Sequence, residues 1–361
     1  MKIKNLLLII PFVFLNCKEN MLLNFKPSNP DFQYNGRFET LQNGSTALIS
    51  SAASVEFKVK GDSINLFIQS EITSRNYFVL TINDIYQKRY LLEGNSIQKI
   101  ALKLKQNETN KIGIYKATEA SSGSIIFHGI EAEALIPIEN KSYTLEFIGD
   151  SITCGALADN SDVNCNEGEY IDQHNAYLAY GPQIAKELNA NFILSAVSGI
   201  GMYRNWNDDT IDEPIMPQVY KNLYLNTDAS KTYNFSIQPD LVSICLGTND
   251  MSDGDGIKER LPFDSTKYIE NYINFIKTVY SHYPKTKILL LNSPMVDGEK
   301  NNILVSCLNK VIEHFKEKNI TLYEFKNLYV NGCNYHPSIQ DHKEIADQLI
   351  PIFKKILDKP F

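Results

Sequence analysis

The chain has 361 residues, of which 43% are hydrophobic and 21% charged, with a formal net charge of −7. These fractions are those of folded domains, and the length exceeds the roughly 100–200 residues of a usual single domain, so we expect two folded units. Lysine and arginine are scattered among the acidic residues, which argues against a nucleic-acid partner.

The N-terminus has the pattern of an export signal. Two lysines precede an apolar run over residues 6–15, which is too short to span a bilayer in the mature protein. Cys17 follows a Phe-Leu-Asn triplet that resembles the cleavage box of bacterial lipoproteins, where the cysteine becomes lipidated. We predict a signal peptide over residues 1–16, a tether over residues 17–30, and an exported protein that contacts the membrane only through a lipid on Cys17. Plain secretion is the alternative.

Residues 31–138 alternate in the manner of half-buried strands. Segment 54–60 is followed, after a Gly-Asp turn, by segment 63–68, a pattern that predicts a hairpin. Further short runs, separated by turn-rich pieces, cover residues 77–82, 90–92, 98–104, 111–115 and 124–133. Many short strands at this spacing predict an antiparallel β-sandwich or jelly roll.

In residues 139–361, apolar strands alternate with helices. The predicted strands cover residues 144–148, 191–197, 241–246, 287–291 and 321–325. Helical spacing links Ile269, Ile273, Ile276 and Tyr280, with Asp264 or Ser265 as the N-cap. This alternation predicts an α/β domain with a five-stranded parallel sheet between two layers of helices.

Five cysteines remain after Cys17, an odd number in a compartment where disulfides form. The first pairing we expect is Cys154 with Cys165, which bracket a polar loop, although the connectivity stays open. No two cysteines have zinc-site spacing with matching histidines, so we expect neither a metal nor a cofactor.

Three predicted strands are followed directly by residues that can carry chemistry. The first leads into a Gly-Asp-Ser turn ending at Ser151, the second into a Ser-Gly-Ile-Gly segment containing Gly199, and the third into a Gly-Thr-Asn-Asp segment containing Asn249. After the last strand, a Gly-Cys-Asn-Tyr-His-Pro segment places His336 before the final helix. Ligands bind beyond the carboxyl ends of strands in an open parallel sheet, so we expect these segments to form one site.

The order of these blocks resembles the SGNH hydrolases, also called GDSL esterases. The resemblance implies that Ser151 is the nucleophile and His336 its general base. It also implies an oxyanion hole formed by the Ser151 and Gly199 N–H groups and the Asn249 amide, with Gly201 as the alternative to Gly199. Asn249 could instead bond only within its own turn.

Cys333 stands where many of these enzymes have an aspartate that orients the histidine. This departure resembles carbohydrate esterase family 2, in which a backbone carbonyl can orient the imidazole and a β-sandwich precedes the hydrolase domain. The segment from Lys116 to Glu119 resembles the Lys-x-Thr-Glu segment of that family near the domain seam. Asn331 and Asn334 lie near the histidine, and neither can be assigned as its partner.

The resemblance implies a serine esterase that removes O-acetyl groups from a polysaccharide or oligosaccharide, and we expect a monomer. Tyr335 and Trp206 could stack on a sugar ring or serve only as packing. One alternative gives the same site lipid or thioester substrates, and another is a glycan-binding surface lipoprotein without catalysis. Asp150 and Asp250 are expected to be structural, and His342 to lie on the surface of the last helix.

Overall fold

A computed structural model describes residues 21–105, 108–208, 214–316 and 318–358. The predicted signal peptide and Cys17 lie outside these residues. Within these ranges, no helix combines the length and the apolar character needed to cross a bilayer.

The sandwich half, residues 21–136, is built of antiparallel strands. These are β1 Leu23–Phe25, β2 Gln33–Asn35, β3 Phe38–Thr40, β4 Thr46–Leu48, β5 Ser54–Lys60, β6 Ser63–Ser70, β7 Arg75–Ile82, β8 Ile85–Glu93, β9 Gln98–Lys103, β10 Thr109–Lys116, β11 Ile125–Ala132 and β12 Ala134–Ile136. One sheet has the order β3-β4-β11-β6-β9 with β1 beside β11, and the other has the order β12-β5-β10-β7-β8 with β2 beside β5. The predicted sandwich is confirmed.

The hairpin predicted for β5 and β6 is wrong, although both strands are present. β5 pairs with β10, β12 and β2, whereas β6 pairs with β11 and β9. The turn at Gly61, with φ +124°, carries the chain from one sheet to the other. Apolar residues of both strands, such as Phe57 and Leu66, therefore meet in one core.

The sheet half, residues 143–358, contains a parallel sheet of five strands. These are β13 Tyr143–Gly149, β14 Ala190–Ala196, β15 Leu241–Cys245, β16 Lys287–Leu291 and β17 Ile320–Tyr323. The helices are α1 Ser151–Cys154, α2 Tyr180–Glu187, α3 Met216–Val219, α4 Thr248–Met251, α5 Ser265–His282, α6 Gly298–His314 and α7 Ile339–Leu357. The strand order β14-β13-β15-β16-β17 confirms the predicted parallel sheet. It reverses at β13, which is the position where open α/β sheets bind ligands.

Helix α5 begins as predicted, and its buried face is shifted by one position from the predicted one: Ile276 is buried, whereas Ile269, Ile273 and Tyr280 are half-buried at the edge of the core. The Asp264 carboxylate accepts the N–H groups of Thr266 and Lys267, as an N-cap does. The buried residues are Tyr268, Tyr272, Phe275, Ile276 and Val279. The face turned by one position because tyrosine rings fill the core while a hydroxyl such as that of Tyr268 bonds the Leu246 carbonyl.

A buried arginine joins the two halves beneath the sheet edge. The Arg37 guanidinium from the sandwich half donates to Ser195 Oγ and to the carbonyls of Tyr220 and Asn222. Ser195 Oγ donates in turn to Glu146 on β13. Since these polar groups are buried and partnered, truncating Arg37 would leave its acceptors buried with fewer donors, which is costly.

Candidate active site

The three neighbouring strands β14, β13 and β15 end at the same height. Gly149 of β13 pairs with Ala196 of β14 and with Cys245 of β15. Residues that follow each strand by a few positions therefore lie side by side. This register brings Ser151 and the segments containing Gly199 and Asn249 to one edge of the sheet.

The turn at Ser151 is fixed by local capping. Asp150 Oδ1 accepts the Ile152 N–H at 3.0 Å, and Gly155 ends the single turn of α1 in the left-handed conformation. Asp150 is fully buried, and this burial raises the pKa of its carboxyl to about 7. Ser151 is 7% exposed, so its hydroxyl is accessible only from the cleft. Asp150 is thus a structural cap, as predicted.

His336 contacts Ser151 directly. Its Nε2 lies 3.0 Å from Ser151 Oγ, and its Nδ1 lies 3.0 Å from the backbone carbonyl of Asn334. A carbonyl can only accept, so the neutral ring carries its proton on Nδ1 and offers the Nε2 lone pair to the serine hydroxyl. Burial lowers the pKa of His336, which favours this neutral form.

The orienting group that the sequence left unassigned is therefore a main-chain carbonyl. Asn334 and Tyr335 both adopt left-handed conformations, with φ of 47° and 57°, and this double turn aims the carbonyl back at the imidazole. Asn331, the other candidate, bonds to Asp341 instead. Positive φ is costly for tyrosine, so other contacts must hold the loop.

A disulfide between Cys165 and Cys333 provides one of these contacts. The predicted pairing of Cys154 with Cys165 is wrong, because α1 directs Cys154 into the core as a free thiol. The bonded cysteines are 168 residues apart, and no local pattern indicates that they meet. The Cys333 N–H also donates to the Leu157 carbonyl at 3.0 Å.

The loop that carries Cys165 is docked on the sandwich half. Asp172 accepts from Arg75 at 2.8 Å and from the Tyr77 hydroxyl at 2.7 Å. Arg89 pairs with Asp162 at 3.2 Å. Much of this acidic loop therefore serves as scaffold, and the sandwich half supports the histidine through it.

Two glycines were candidates for the second oxyanion donor. The Gly201 N–H donates to Asn205 Oδ1 at 3.0 Å and is committed to the fold. Gly199 has φ +76°, and its N–H has no acceptor among the described residues. The Ser151 N–H, at the first position of α1, is likewise available. The geometry favours Gly199 over Gly201.

The side-chain amide of Asn249 already makes two hydrogen bonds. Its Nδ2 donates to the Ile200 carbonyl at 2.8 Å and to Asp150 Oδ2 at 3.3 Å. The contact with Asp150 is the longer one, so a bound oxyanion would replace it more readily. The oxyanion role of Asn249 stays a prediction. Asp250 is structural, since its carboxylate accepts the N–H groups of Met202, Tyr203 and Arg204.

The two aromatic candidates differ in position. A cleft of about 390 Å³ is lined by Ser151, Asn249, His336 and Trp206, among others. Trp206 is 47% exposed, and its backbone N–H donates to the Gly199 carbonyl at 2.8 Å. Tyr335 is 80% exposed and is not among the residues that line this cleft.

The prediction that His342 lies on the surface is wrong. It is fully buried, its ring stacks on that of Tyr180, and burial lowers its pKa to about 4. Positions 342, 345, 346, 349 and 353 form the buried stripe of α7, so the helical spacing could have revealed it.

Sequence reasoning also assigned no role to two buried residues behind the site. Glu119 Oε2 accepts the Ser198 N–H at 2.8 Å, and His174 Nε2 lies 3.4 Å from Glu119 Oε1. The resemblance of the segment around Glu119 was the available signal, but it gave no function.

Comparisons with known proteins agree with this architecture. Residues 147–348 match the model of the GDSL-like Lipase/Acylhydrolase family. The chain belongs to this family. Residues 34–138 match the Carbohydrate esterase 2 N-terminal model, so the resemblance to carbohydrate esterase family 2 is confirmed.

Three relatives of this GDSL-family chain span most of its length. An acetylxylan esterase / glucomannan deacetylase of Cellvibrio japonicus is 30% identical over 67% of the chain and 68% of the relative. A family two carbohydrate esterase structure from Clostridium thermocellum, in complex with cellohexaose, is 26% identical, with a TM-score of 0.79 over 90% of this chain and 99% of that one. A family two carbohydrate esterase from Cellvibrio japonicus has the same fold, with 23% identity and a TM-score of 0.81 over 93% and 98% of the two chains.

Proposed function

We propose that this protein is a serine esterase that removes O-acetyl groups from polysaccharide or oligosaccharide. The observation that carries the proposal is the contact between His336 Nε2 and Ser151 Oγ, with Nδ1 held by the Asn334 carbonyl. The curated relative deacetylates xylan and glucomannan according to its name, and the Clostridium thermocellum structure holds cellohexaose. Both support a carbohydrate substrate.

The reaction proceeds in two steps. His336 takes the Ser151 proton as Oγ attacks the acetyl carbonyl, and the resulting imidazolium protonates the sugar oxygen as its bond to the acetyl carbon breaks, which releases the sugar hydroxyl and leaves acetyl-Ser151. Water, deprotonated by His336, then attacks the acetyl-enzyme, and the imidazolium returns the proton to Ser151 Oγ as acetate leaves. The N–H groups of Ser151 and Gly199, with the Asn249 amide, hold the oxyanion in both steps.

Acetate release tests the proposal. The purified protein should release acetate from acetylated xylan or glucomannan and from a chromogenic acetate, and Ser151→Ala should abolish both activities. Undiminished release by Ser151→Ala would refute the serine mechanism. A preference for octanoyl over acetyl esters would instead favour lipid substrates.

We also propose that the protein is exported and anchored through a lipid on Cys17, and that it acts as a monomer. The basic start, the apolar run and the cysteine at position 17 support export and anchoring. Labelling with radioactive palmitate in the wild type but not in Cys17→Ala would support the anchor. Equal labelling of both proteins would contradict the lipid anchor. Analytical sedimentation tests whether the protein is a monomer.

A further inference from the structure

The carboxylate of Glu119 reaches the catalytic half from the sandwich half. Glu119 follows β10 and is 2% exposed. Its Oε2 accepts the Ser198 N–H at 2.8 Å and lies 3.8 Å from Cys154 Sγ, while Oε1 lies 3.4 Å from His174 Nε2. These three partners come from the oxyanion segment, from the helix begun by Ser151, and from the docked loop.

The charge state of Glu119 follows from these contacts. Burial alone would raise the pKa of the carboxyl, but the hydrogen bonds from His174 and Ser198 outweigh it and hold the pKa below its usual range. An ionised carboxylate can only accept, so His174 carries a proton on Nε2. A buried carboxylate with several donors is held in one place.

Several hydrogen bonds hold the backbone around Glu119 in place. Lys116 Nζ, itself buried, donates to the carbonyls of Thr118 and Glu119 and to Thr118 Oγ1. The Ala117 carbonyl accepts the Ala176 N–H at 2.9 Å, which ties this segment to the sheet half. The sandwich half therefore sets the position of the Glu119 carboxylate, which in turn contacts the segment that carries Gly199.

Ser198 immediately precedes Gly199. The Ser198 N–H lies in the peptide plane that precedes Ser198, and only the φ and ψ rotations of Ser198 separate this plane from the one that carries the Gly199 N–H. Fixing the first plane therefore narrows the orientations open to the second. Gly199 has φ +76° and an otherwise free N–H, and Trp206 holds its carbonyl. The Val197 carbonyl, in the same peptide plane as the Ser198 N–H, accepts the Ile200 N–H at 3.4 Å, so the 2.8 Å contact with Glu119 is the shorter of two bonds that hold this plane.

We propose that Glu119 is a positioning residue of the sandwich half that orients the Gly199 N–H toward the oxyanion formed at Ser151. The sandwich half then contributes to turnover through this contact, in addition to any role in substrate binding. This inference rests on the proposed serine esterase function. It predicts that an acceptor oxygen at position 119 matters more than the negative charge.

Two substitutions separate the acceptor from the charge. Glu119→Gln keeps an oxygen for the Ser198 N–H, and we expect kcat/KM for a chromogenic acetate to stay within about 3-fold of wild type. Glu119→Ala removes the acceptor, and we expect kcat to fall by about 10- to 100-fold with KM changed by less than about 2-fold, since a loosened donor costs less than a deleted one. Titration of the active serine corrects both values for unfolded protein.

Glu56→Ala is the matched control. Glu56 is also a buried carboxylate of the sandwich half, but it bonds Tyr115, Lys111 and Lys141, away from the cleft. Its loss should lower the melting temperature while kcat/KM of the folded fraction stays within about 2-fold of wild type. Equal losses of kcat in Glu56→Ala and Glu119→Ala would reduce Glu119 to a general structural role and overturn the proposal.

Methylboronic acid gives a readout that a purely structural role would not move. It adds to the serine as a tetrahedral anion, so its inhibition constant should rise in Glu119→Ala by the same factor by which kcat/KM falls. An unchanged inhibition constant would overturn the proposal.

If Glu119→Ala does not fold, selective ¹⁵N-serine labelling of the wild type and Glu119→Gln decides. The Ser198 amide proton should resonate downfield in wild type and move upfield in the variant, and an amide at the ordinary position in both proteins would overturn the proposal. Wild type without esterase activity, or an active Ser151→Ala, would refute the proposed function instead. Active wild type, inactive Ser151→Ala and fully active Glu119→Ala would refute only the positioning role.

Discussion

Ser151 and His336 lie 3.0 Å apart but are held in place by different means. Ser151 follows β13 directly, and its turn is fixed by its own neighbours, Asp150 and Gly155. His336 lies in a loop with two left-handed residues that is held by distant parts of the chain, including Cys165. The nucleophile is thus a local consequence of the sheet, whereas the base depends on long-range contacts.

Removing the side chain of either Ser151 or His336 should have the largest effect on activity. Ser151→Ala and His336→Ala should each lower kcat/KM for a chromogenic acetate by roughly 10⁴-fold or more, because the two groups act as one unit. The double variant should lose little beyond either single variant. His314→Ala, at an exposed position of α6, is the control that should keep full activity. A His336→Ala variant within about ten-fold of wild type would show that another group activates the serine.

Breaking the disulfide tests whether the His336 side depends on distant support. Cys165→Ala should lower the free energy of unfolding by about 2–5 kcal/mol. It should also lower kcat/KM by about 10- to 100-fold, because a small displacement of the imidazole is costly. Chemical denaturation and steady-state rates at a temperature where the variant is folded measure the two effects.

Cys307→Ala is the matched control for that experiment, since Cys307 is a free cysteine of α6. Cys307→Ala should keep the wild-type rate. Because it retains the Cys165–Cys333 disulfide, reduction by dithiothreitol should lower its activity as it does that of the wild type. If Cys165→Ala lost stability but kept kcat/KM, the disulfide would serve the fold and not the position of His336.

The same contrast explains what the sequence could reveal. The parallel strands follow from periodicity and lie within a few residues of their predicted bounds, whereas strands β1 to β4 and β12 of the sandwich have no counterpart among the predicted runs. The blocks at Ser151, Gly199 and Asn249 are visible in the local sequence, and their roles come from the family resemblance. The Cys165–Cys333 bond, the β5 to β6 crossing and the Glu119 contact depend on which distant segments meet. Local spacing carries no information about such contacts.

The two aromatic side chains next to the pair should differ in their effect on large substrates. Trp206 lines the cleft and Tyr335 does not. Trp206→Ala should lower kcat/KM on acetylated polysaccharide by about 3- to 10-fold, the equivalent of one aromatic contact, with a smaller effect on a chromogenic acetate. Tyr335→Gly should leave both rates unchanged. It should also relieve backbone strain at this position, since glycine adopts a φ of 57° more readily than tyrosine. A larger loss for Tyr335→Gly on polysaccharide would place the sugar on the other side of the histidine.

The smallest expected effect is a displacement of the pH profile of activity, which we assign to the His336 side. Burial lowers the pKa of His336 below its ordinary value of about 6.5, so the imidazole stays neutral, and able to accept the serine proton, at lower pH than a free histidine would. The acidic limb of kcat/KM for a chromogenic acetate should therefore have its midpoint below pH 6.5, with activity lost as the pH falls through that midpoint. Asp150, with a pKa raised to about 7, lies beside Asn249 and could add a second titration. Asp150→Asn keeps an N-cap oxygen but cannot ionise, so an acidic limb that persists there below pH 6.5 belongs to His336, and a midpoint above 6.5 in both proteins would contradict the assignment.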